Sequence, residues 1–230
     1  MEQIPLFDDL QDSQGTLLAW SREQKDHRQR NVAAGEVLFH QGGRPEHIYE
    51  VVTGTLKLSR VTENGRHIIL GFPSSGAIIG LTGAQDYRFT AETLTPAKLI
   101  STRHMLFQKA LLQNIANGKK LMQWIDRQED ITLDHISVLA MHQPVSRIAA
   151  FLLNIARQQG ADQAPTEIQI AMTQRDIACY LAIAPETYSR IIKKLRENGI
   201  LRSKGPGRIG NMVEISDMAR LDQIADGGKI

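Results

Sequence analysis

The pattern of apolar and polar positions divides the chain into three parts. In the first, from residue 31 to about residue 102, short β-branched or alternating runs are separated by glycines. One example is the run at 67–70, which follows Asn64 and Gly65. Glycine supplies the positive φ angles of tight turns, and Asn-Gly between two such runs is a strong hairpin signal. This part is therefore predicted to be an antiparallel β sandwich or a small β roll.

Helical spacing replaces this pattern after Ser101. From residue 113 to residue 140 apolar residues recur at intervals of three and four, and a subset repeats at seven. A narrow stripe of this kind needs a partner helix, and the simplest partner is the same helix of a second subunit. The predicted dimer contacts of residues 113–142 are Leu121, Trp124, Ile125, Ile131, Val138 and Leu139. The alternative is that the stripe packs only on the β part of its own chain.

The third part, residues 143–230, contains several helix signals. Pro144 is well placed to open a helix, because proline is tolerated in the first turn. Thr173 with Asp176 three residues later has the form of an N-cap, which predicts the start of a short helix. A short turn follows, and Pro185 opens a further helix. The order is that of a helix-turn-helix.

The second helix of this unit has two different faces. The apolar face, predicted to pack on the domain, comprises Tyr188, Ile191, Ile192 and Leu195. The opposite face carries Glu186, Ser189, Arg190 and Lys193. Arginine can donate twice to guanine, glutamate can accept from the cytosine amino group, and serine can bond to either kind of base edge. We predict that Glu186, Ser189 and Arg190 read bases in the DNA major groove. The alternative is a solvated face with a Glu186–Arg190 ion pair.

Positive charge is concentrated around this helix. The whole chain has 27 Lys+Arg against 25 Asp+Glu, a formal net charge of +2, whereas residues 185–210 contain far more cations than carboxylates. Strand-forming runs at 200–204 and 212–215 flank a glycine-rich loop, as in the wing of a winged helix-turn-helix. Lys and Arg bind DNA phosphates and so position a protein on the duplex. The predicted positioning residues are Thr173, Arg175, Thr187, Lys193, Lys204 and Arg208.

Three segments carry a family resemblance. They are A-G-E-V-L-F-H-Q-G at 34–42, T-G-T-L-K-L at 53–58 and P-E-T-Y-S-R at 185–190. With them the chain resembles the CRP/FNR superfamily of bacterial transcription regulators. The last segment is similar to the E-x-x-S-R recognition-helix pattern of the FNR and FixK/DNR-like branches, whereas the cyclic-AMP-receptor branch has glycine in place of the serine.

The resemblance implies a fold and a function. The fold is α+β, with an N-terminal cyclic-nucleotide-binding-type β jelly roll, a long dimerisation helix and a C-terminal winged helix-turn-helix. The implied domains are a β-roll sensor at 1–112, the dimerisation helix at 113–142 and the DNA-binding domain at 143–230. The implied function is that of a homodimeric, sequence-specific transcription regulator, an activator or a repressor according to the promoter, whose partners are double-stranded DNA and RNA polymerase. The implied operator is a TTGA…TCAA-type palindrome, with Glu186, Ser189 and Arg190 as its readers.

The sequence departs from the cyclic-AMP-receptor branch where that branch holds its ligand. The resemblance implies a G-E-L segment and an R-S/T-A segment around the ribose and phosphate, but this chain has Leu81 and Phe89 in place of the glutamate and the arginine. A phosphodiester without its arginine loses a bidentate charge-assisted contact. We therefore expect that cyclic AMP does not bind. A cyclic-nucleotide-responsive regulator, with Arg88 as a shifted phosphate ligand, is the alternative.

The cysteine and histidine counts limit other sensors. An iron–sulfur cluster of the FNR type needs four cysteine ligands, and the chain has only Cys179, so no such cluster is expected. Cys179 is a candidate redox switch, or else a small buried apolar residue. Seven histidines leave a haem-based gas-sensing regulator as a further alternative. No cofactor is otherwise evident, no metal site is predicted, and the signal is not identified.

Composition and motifs exclude several protein classes. No apolar run approaches about 18 residues, so neither a transporter nor a membrane partner is expected. The single cysteine and the lack of a signal segment favour the cytoplasm. No paired carboxylates or Ser/His/Asp order indicates an enzyme. The remaining rival is a cyclic-nucleotide-binding module that regulates a partner protein, and such a module would not need the basic cluster.

Overall fold

The computed structural model describes residues 28–113, 115–161, 165–206 and 211–230. These residues form two compact units, and the division falls between Glu129 and Asp130. It lies within the long helix that the sequence analysis assigns to a segment of its own. The β sandwich precedes this division, and the helix-turn-helix follows it.

The first unit contains two antiparallel sheets. Its strands are β1 (Arg28–Val32), β2 (Val37–Phe39), β3 (His47–Thr53), β4 (Leu56–Val61), β5 (His67–Gly71), β6 (Ile78–Ile79), β7 (Thr90–Thr93) and β8 (Ala97–Arg103). One sheet has the order β1-β8-β3-β6 and the other the order β2-β7-β4-β5. The Asn64-Gly65 hairpin joins β4 to β5, with Gly65 at a φ of +73°. The predicted β-roll architecture is confirmed.

Side chains from both sheets meet in an apolar core. Val51 and Leu99 come from one sheet and Leu56 from the other, and each of these side chains is almost completely enclosed. Successive residues of a strand point to opposite faces, so alternate apolar positions fill this interior. Phe39 stacks on Tyr87 with ring centroids 3.9 Å apart, which adds an aromatic contact to the aliphatic packing.

Gly54 permits a close approach between the β3–β4 turn and the start of β8. Its φ is +102°, and a Cβ at this position would lie 2.7 Å from the Cβ of Ala97 and 2.9 Å from the Pro96 carbonyl oxygen. An alanine would combine a disfavoured backbone angle with a steric clash. We expect Gly54→Ala to lower the free energy of unfolding by more than about 1 kcal/mol, measured by urea denaturation.

Gly65 provides the matched control for this prediction. It also has a positive φ, but a Cβ there would meet no atom within 4 Å. Gly65→Ala should therefore be less destabilising than Gly54→Ala. Equal losses for the two variants would show that the clash with Ala97 is relieved at no energetic cost.

Helices follow the last strand of the β unit and dominate the second unit. They are α1 (His104–Gln113), α2 (Ile115–Ala140), α3 (Pro144–Gln158), α4 (Gln174–Tyr180), α5 (Pro185–Glu197) and α6 (Met218–Ala225). The predicted starts of α3 at Pro144 and of α5 at Pro185 are confirmed. Within the described residues no helix is both long enough and apolar enough to cross a membrane.

The two predicted wing strands, at 200–204 and 212–215, are joined in the structure by a third strand that was not expected from the sequence. The sheet of the second unit has three strands, β9 (Thr166–Ile170), β10 (Leu201–Pro206) and β11 (Asn211–Ile215), in the order β10-β11-β9. β9 comes from a five-residue run before the helix-turn-helix, and a run this short carries little periodic signal. α6 was also not predicted, and it is fastened to α3 by Ser146, whose Oγ donates to the Ile224 carbonyl at 2.7 Å.

Candidate nucleic-acid interface

α4 begins at the predicted N-cap. The Thr173 Oγ1 accepts a hydrogen bond from the backbone N–H of Asp176 at 3.0 Å and donates to the Asp176 carboxylate at 2.7 Å. The cap satisfies a backbone donor that the first turn of the helix leaves open. The apolar side of α4 is buried through Ile177 and Ala178, which fixes this helix against the rest of its unit. The start of α4 is therefore determined by its local cap, and its orientation by the burial of its apolar side.

Arg147, which the sequence motifs do not indicate, holds the turn between α4 and α5. Ala182 lies in this turn with a φ of +52°, which is uncommon for alanine. The Arg147 side chain of α3 donates to the Leu181 carbonyl at 3.2 Å and to the Met141 carbonyl at 2.9 Å. An arginine next to the buried Ile148 in the chain was the available signal, because a half-buried guanidinium needs acceptors nearby.

α5 has the two faces that its sequence predicts. Tyr188, Ile192 and Leu195 are buried, and Ile191 is half-buried. Burial raises the pKa of Tyr188 to about 12, so its hydroxyl stays protonated at neutral pH. The opposite face is exposed and carries Glu186, Ser189, Arg190 and Lys193. The three predicted base-reading side chains therefore lie together on one accessible face near the start of α5.

The predicted phosphate contacts on the two helices differ in their surroundings. Arg175 is exposed on α4, whereas Thr187 is half-buried on α5. Thr173 is exposed, although its hydroxyl is already engaged as the cap of α4. The Lys193 ammonium lies 3.7 Å from the Glu197 carboxylate, and both side chains are mostly exposed. An exposed pair of this kind is weak, so Lys193 can exchange its partner readily.

Lys204, a predicted phosphate contact on the wing strand β10, has carboxylate partners in the structure. Its Nζ lies 2.7 Å from the Glu214 carboxylate and 3.5 Å from that of Glu167. Arg202 Nη1 is also 3.7 Å from Glu214. A DNA phosphate that binds Lys204 would have to replace these two carboxylates. Arg208, the other predicted wing contact, lies outside the described residues.

Hydrogen bonding changes the pKa of both members of the closest wing pair. The Lys204 ammonium beside Glu214 lowers the pKa of that carboxyl, and a hydrogen bond from the Ser216 hydroxyl acts in the same direction. Glu214 in turn raises the pKa of Lys204. Both groups are therefore charged at neutral pH.

The residues of the predicted dimer stripe on α2 differ in how far their own chain covers them. Leu121 and Trp124 pack against the buried cluster that contains Phe107, within their own β unit. They correspond to the alternative in which the stripe packs on its own chain. Ile131, Val138 and Leu139 are half-buried. Ile125 alone among the predicted contacts is exposed, with 43% of its surface accessible.

A second set of apolar side chains, which shares only Ile125 with the predicted stripe, lies open on α2. It comprises Ile115, Met122, Ile125, Leu133 and Ile136, each at least 43% exposed. Residues 122, 125, 133 and 136 recur at helical spacing, like those of the predicted stripe, so periodicity alone does not distinguish the two sets. The exposed set is the apolar face that this helix leaves uncovered in the single chain.

Two apolar residues occupy the positions that the resemblance assigns to nucleotide contacts. Leu81 packs against the cluster that contains Phe107. Phe89 packs against the main β core, with its ring centroid 5.7 Å from that of Phe39. Arg88, the alternative phosphate ligand, is exposed. Side chains that could accept from a ribose or pair with a phosphate are therefore replaced by packing residues.

Several candidate sensor residues have structural partners. His104 Nε2 lies 2.8 Å from the Thr82 carbonyl oxygen. His135 stacks on Tyr180 with ring centroids 4.1 Å apart, and burial lowers the pKa of this histidine. Cys179 is half-buried on α4. Nowhere in the described ranges do three or more His, Cys, Asp or Glu side chains form a group that could hold a metal ion. His27 lies outside those ranges.

Comparison with known families matches both units. Residues 29–114 match the family described as cyclic nucleotide-binding domain, and residues 146–224 match the Crp-like helix-turn-helix domain. The chain is also similar in fold to the solved structure of FixK2 from Bradyrhizobium japonicum. That similarity has a TM-score of 0.75 at 24% identity and covers 86% of this chain and 96% of FixK2.

Two curated relatives are similar over most of their length. The nitrogen fixation regulation protein FixK of Azorhizobium caulinodans is 29% identical over 83% of this chain and 77% of the relative. The transcriptional activator protein anr of Pseudomonas aeruginosa is 27% identical over 87% of this chain and 81% of the relative. With both domains matched and such relatives, the expectation of a regulator rather than an enzyme is confirmed. The chain belongs to the CRP/FNR superfamily of DNA-binding transcription regulators.

Proposed function

We propose that this regulator acts as a homodimer that binds a TTGA…TCAA-type palindrome and activates transcription there. The observation that carries the proposal is the exposed face of α5, where Glu186, Ser189 and Arg190 lie near the helix start. The first turn of a recognition helix is the part that reaches base edges in the major groove. A glutamate, a serine and an arginine there supply an acceptor, a hydroxyl and a bidentate donor.

The surrounding residues are proposed to set the position of α5 on the duplex. Arg175, Thr187 and Lys193 flank the reading face and are suited to phosphate contacts, as is the hydroxyl of Thr173 where it begins α4. Arg208 is proposed as a phosphate contact from the wing loop. Such contacts fix register and orientation but carry no sequence information themselves.

A two-fold operator requires two reading helices about 34 Å apart, which a dimer supplies. We propose that α2 forms the dimer contact through its exposed apolar residues, with Ile125 shared between the sequence prediction and the exposed set. RNA polymerase is the proposed protein partner of the DNA-bound dimer. The cytoplasm, where bacterial DNA and polymerase reside, is the proposed location.

The operator can be tested without assuming any target gene. Purified protein would be incubated with a library of random duplexes, and the bound fraction would be amplified and sequenced over several rounds. We expect enrichment of TTGA half-sites in inverted repeat, with centres about one helical turn apart. Enrichment of an unrelated half-site would contradict the assignment of Glu186, Ser189 and Arg190 as readers of this operator.

We also propose that cyclic AMP is not the effector. Leu81 and Phe89 are partly buried and pack against the apolar clusters of the β unit, which supports this proposal. A ligand that binds the native state at 100 times its Kd adds about 2.7 kcal/mol of stability. We expect no change in Tm with cyclic AMP at concentrations up to about 1 mM, measured by differential scanning fluorimetry. A saturable rise would contradict the proposal and would direct attention to Arg88.

A further inference from the structure

The outer face of the C-terminal sheet carries a row of charged residues. Glu214 on β11 is paired in register with Glu167 on β9 and with Arg202 on β10. Residues directly opposite each other on neighbouring strands point to the same face, so these three side chains share one face. Two carboxylates directly opposite each other are destabilising unless a cation lies between them.

Lys204 supplies that cation. Its Nζ is 2.7 Å from Glu214 Oε2 and 3.5 Å from Glu167 Oε1, so one ammonium bridges both carboxylates. Arg202 Nη1 lies 3.7 Å from Glu214 Oε1, and the Ser216 hydroxyl donates to the same oxygen at 3.0 Å. The side chain of Glu214 is only 10% exposed, whereas that of Lys204 is 45% exposed. The carboxylate is thus enclosed by donors, and the lysine remains open to solvent on its other side.

We infer that Glu214 is a positioning residue that competes with DNA phosphate for Lys204 and Arg202 and thereby limits sequence-independent binding by the wing. The inference rests on the DNA binding proposed above. Within the described residues, Arg202 and Lys204 are the cations on the two wing strands. Glu214 contacts both of them.

The competition favours the carboxylate for a physical reason. Glu214 is covalently held on the strand next to Lys204, so its effective concentration at the ammonium is in the millimolar range or above. A DNA phosphate brings the same kind of charge but must displace a contact that is already made. Sequence-independent affinity comes mainly from phosphate contacts, so occupied wing cations contribute little to it. The base-reading face of α5 is unaffected by this arrangement.

Glu214→Gln tests the inference, because it removes the charge but keeps the size of the side chain and one acceptor oxygen. Fluorescence anisotropy would give the Kd for a palindromic duplex and for a scrambled duplex between about 50 and 200 mM salt. We expect both duplexes to bind about tenfold more tightly at the lowest salt. The slope of log Kd against log salt should steepen by about 0.9 for each freed cation in each subunit. An unchanged slope would overturn the inference.

Asp222→Asn is the matched charge control. Asp222 lies in the same unit and pairs with Arg157 at 3.7 Å, the distance that also separates Arg202 from Glu214, but it is more exposed than Glu214 and lies on α6 rather than on the wing. We expect this variant to change either Kd by less than about twofold. If Asp222→Asn strengthened binding as much as Glu214→Gln, the gain would reflect net charge alone, and the inference would be wrong.

A double-mutant cycle identifies the freed cation. Adding Lys204→Gln to Glu214→Gln should return both Kd values toward those of the wild type, whereas Lys204→Gln alone should have little effect. Equal losses from Lys204→Gln in both backgrounds would mean that the lysine already contacts phosphate in the wild type, against the inference. Coupling between the two positions is the readout that a purely structural role of Glu214 would not produce.

Glu167→Gln tests the same inference if Glu214→Gln does not fold. Glu167 is 53% exposed, so Glu167→Gln carries little folding risk, and Tm would be measured for every variant. It should steepen the salt slope in the same direction but by less, because the longer of the two contacts to Lys204 is lost. If Glu214→Gln does not fold, an unchanged salt slope in Glu167→Gln overturns the inference. Failure of the wild type to bind any duplex would instead contradict the proposed function.

Discussion

Arg190→Ala is expected to abolish the preference of this protein for a TTGA…TCAA palindrome over scrambled DNA. A bidentate arginine–guanine contact contributes about 1 to 3 kcal/mol of discrimination, and a dimer makes it twice. The total of about 2 to 6 kcal/mol corresponds to a loss of about 30-fold to more than 10⁴-fold in the affinity ratio. Competition between labelled palindrome and unlabelled scrambled duplex measures this ratio directly.

Arg190→Lys separates the two contributions of the side chain. Lysine keeps the positive charge but has no planar fork, so it cannot reproduce the two parallel hydrogen bonds. We expect it to retain binding to scrambled DNA and to lose most of the preference for the palindrome. A variant at position 190 that kept the wild-type preference would show that the exposed face of α5 is not the reading face.

Ile125→Glu is expected to convert the protein to a monomer and to eliminate binding to the palindrome. Ile125 is exposed on α2, and a two-fold contact through this helix would bring two such carboxylates toward each other in an apolar seam. Burial of like charges without partners is strongly unfavourable. Analytical ultracentrifugation would give the oligomeric state, and anisotropy would give the Kd at matched protein concentration.

Met105→Glu is the control for this change. Met105 is 80% exposed on α1, so the substitution introduces the same charge at an exposed apolar position of another helix. It should leave the sedimentation coefficient and operator binding unchanged. A dimer that persists in Ile125→Glu but dissociates in Ile136→Glu would move the contact toward the end of α2. Persistence in both variants would place the interface on another surface.

Features encoded by a few neighbouring residues could be predicted from the sequence. Thr173 and Asp176 specify a cap three residues apart, and Pro185 specifies the start of α5, because these signals act within a single helical turn. The Asn64-Gly65 turn is local in the same sense. The exposed face of α5 follows from the spacing of its buried residues. These parts of the candidate interface required no knowledge of tertiary contacts.

Features that depend on distant contacts could not be predicted in the same way. Trp124 and Ile125 are adjacent in sequence, and both fit an apolar stripe, yet only Trp124 packs on the β unit. The choice depends on which side of the helix meets that core, and the sequence pattern does not contain this information. The charges near Lys204 in the chain predict a phosphate contact, whereas its partners Glu167 and Glu214 reach it across the sheet. Charge counts along a sequence omit such pairing.

Arg147 gives the helix-turn-helix a mechanical link to the end of α2. One guanidinium spans the Met141 carbonyl, just beyond the last residue of α2, and the carbonyls of Leu181 and Ala182 in the turn before α5. Hydrogen bonds weaken steeply once donor and acceptor move out of range, so the link acts as a short tether. If the end of α2 moves by about 1 Å, either the turn before α5 moves with it, or Arg147 loses its hydrogen bonds to Met141 or to the turn. The orientation of α5 and the position of the end of α2 are thus not independent variables in this protein.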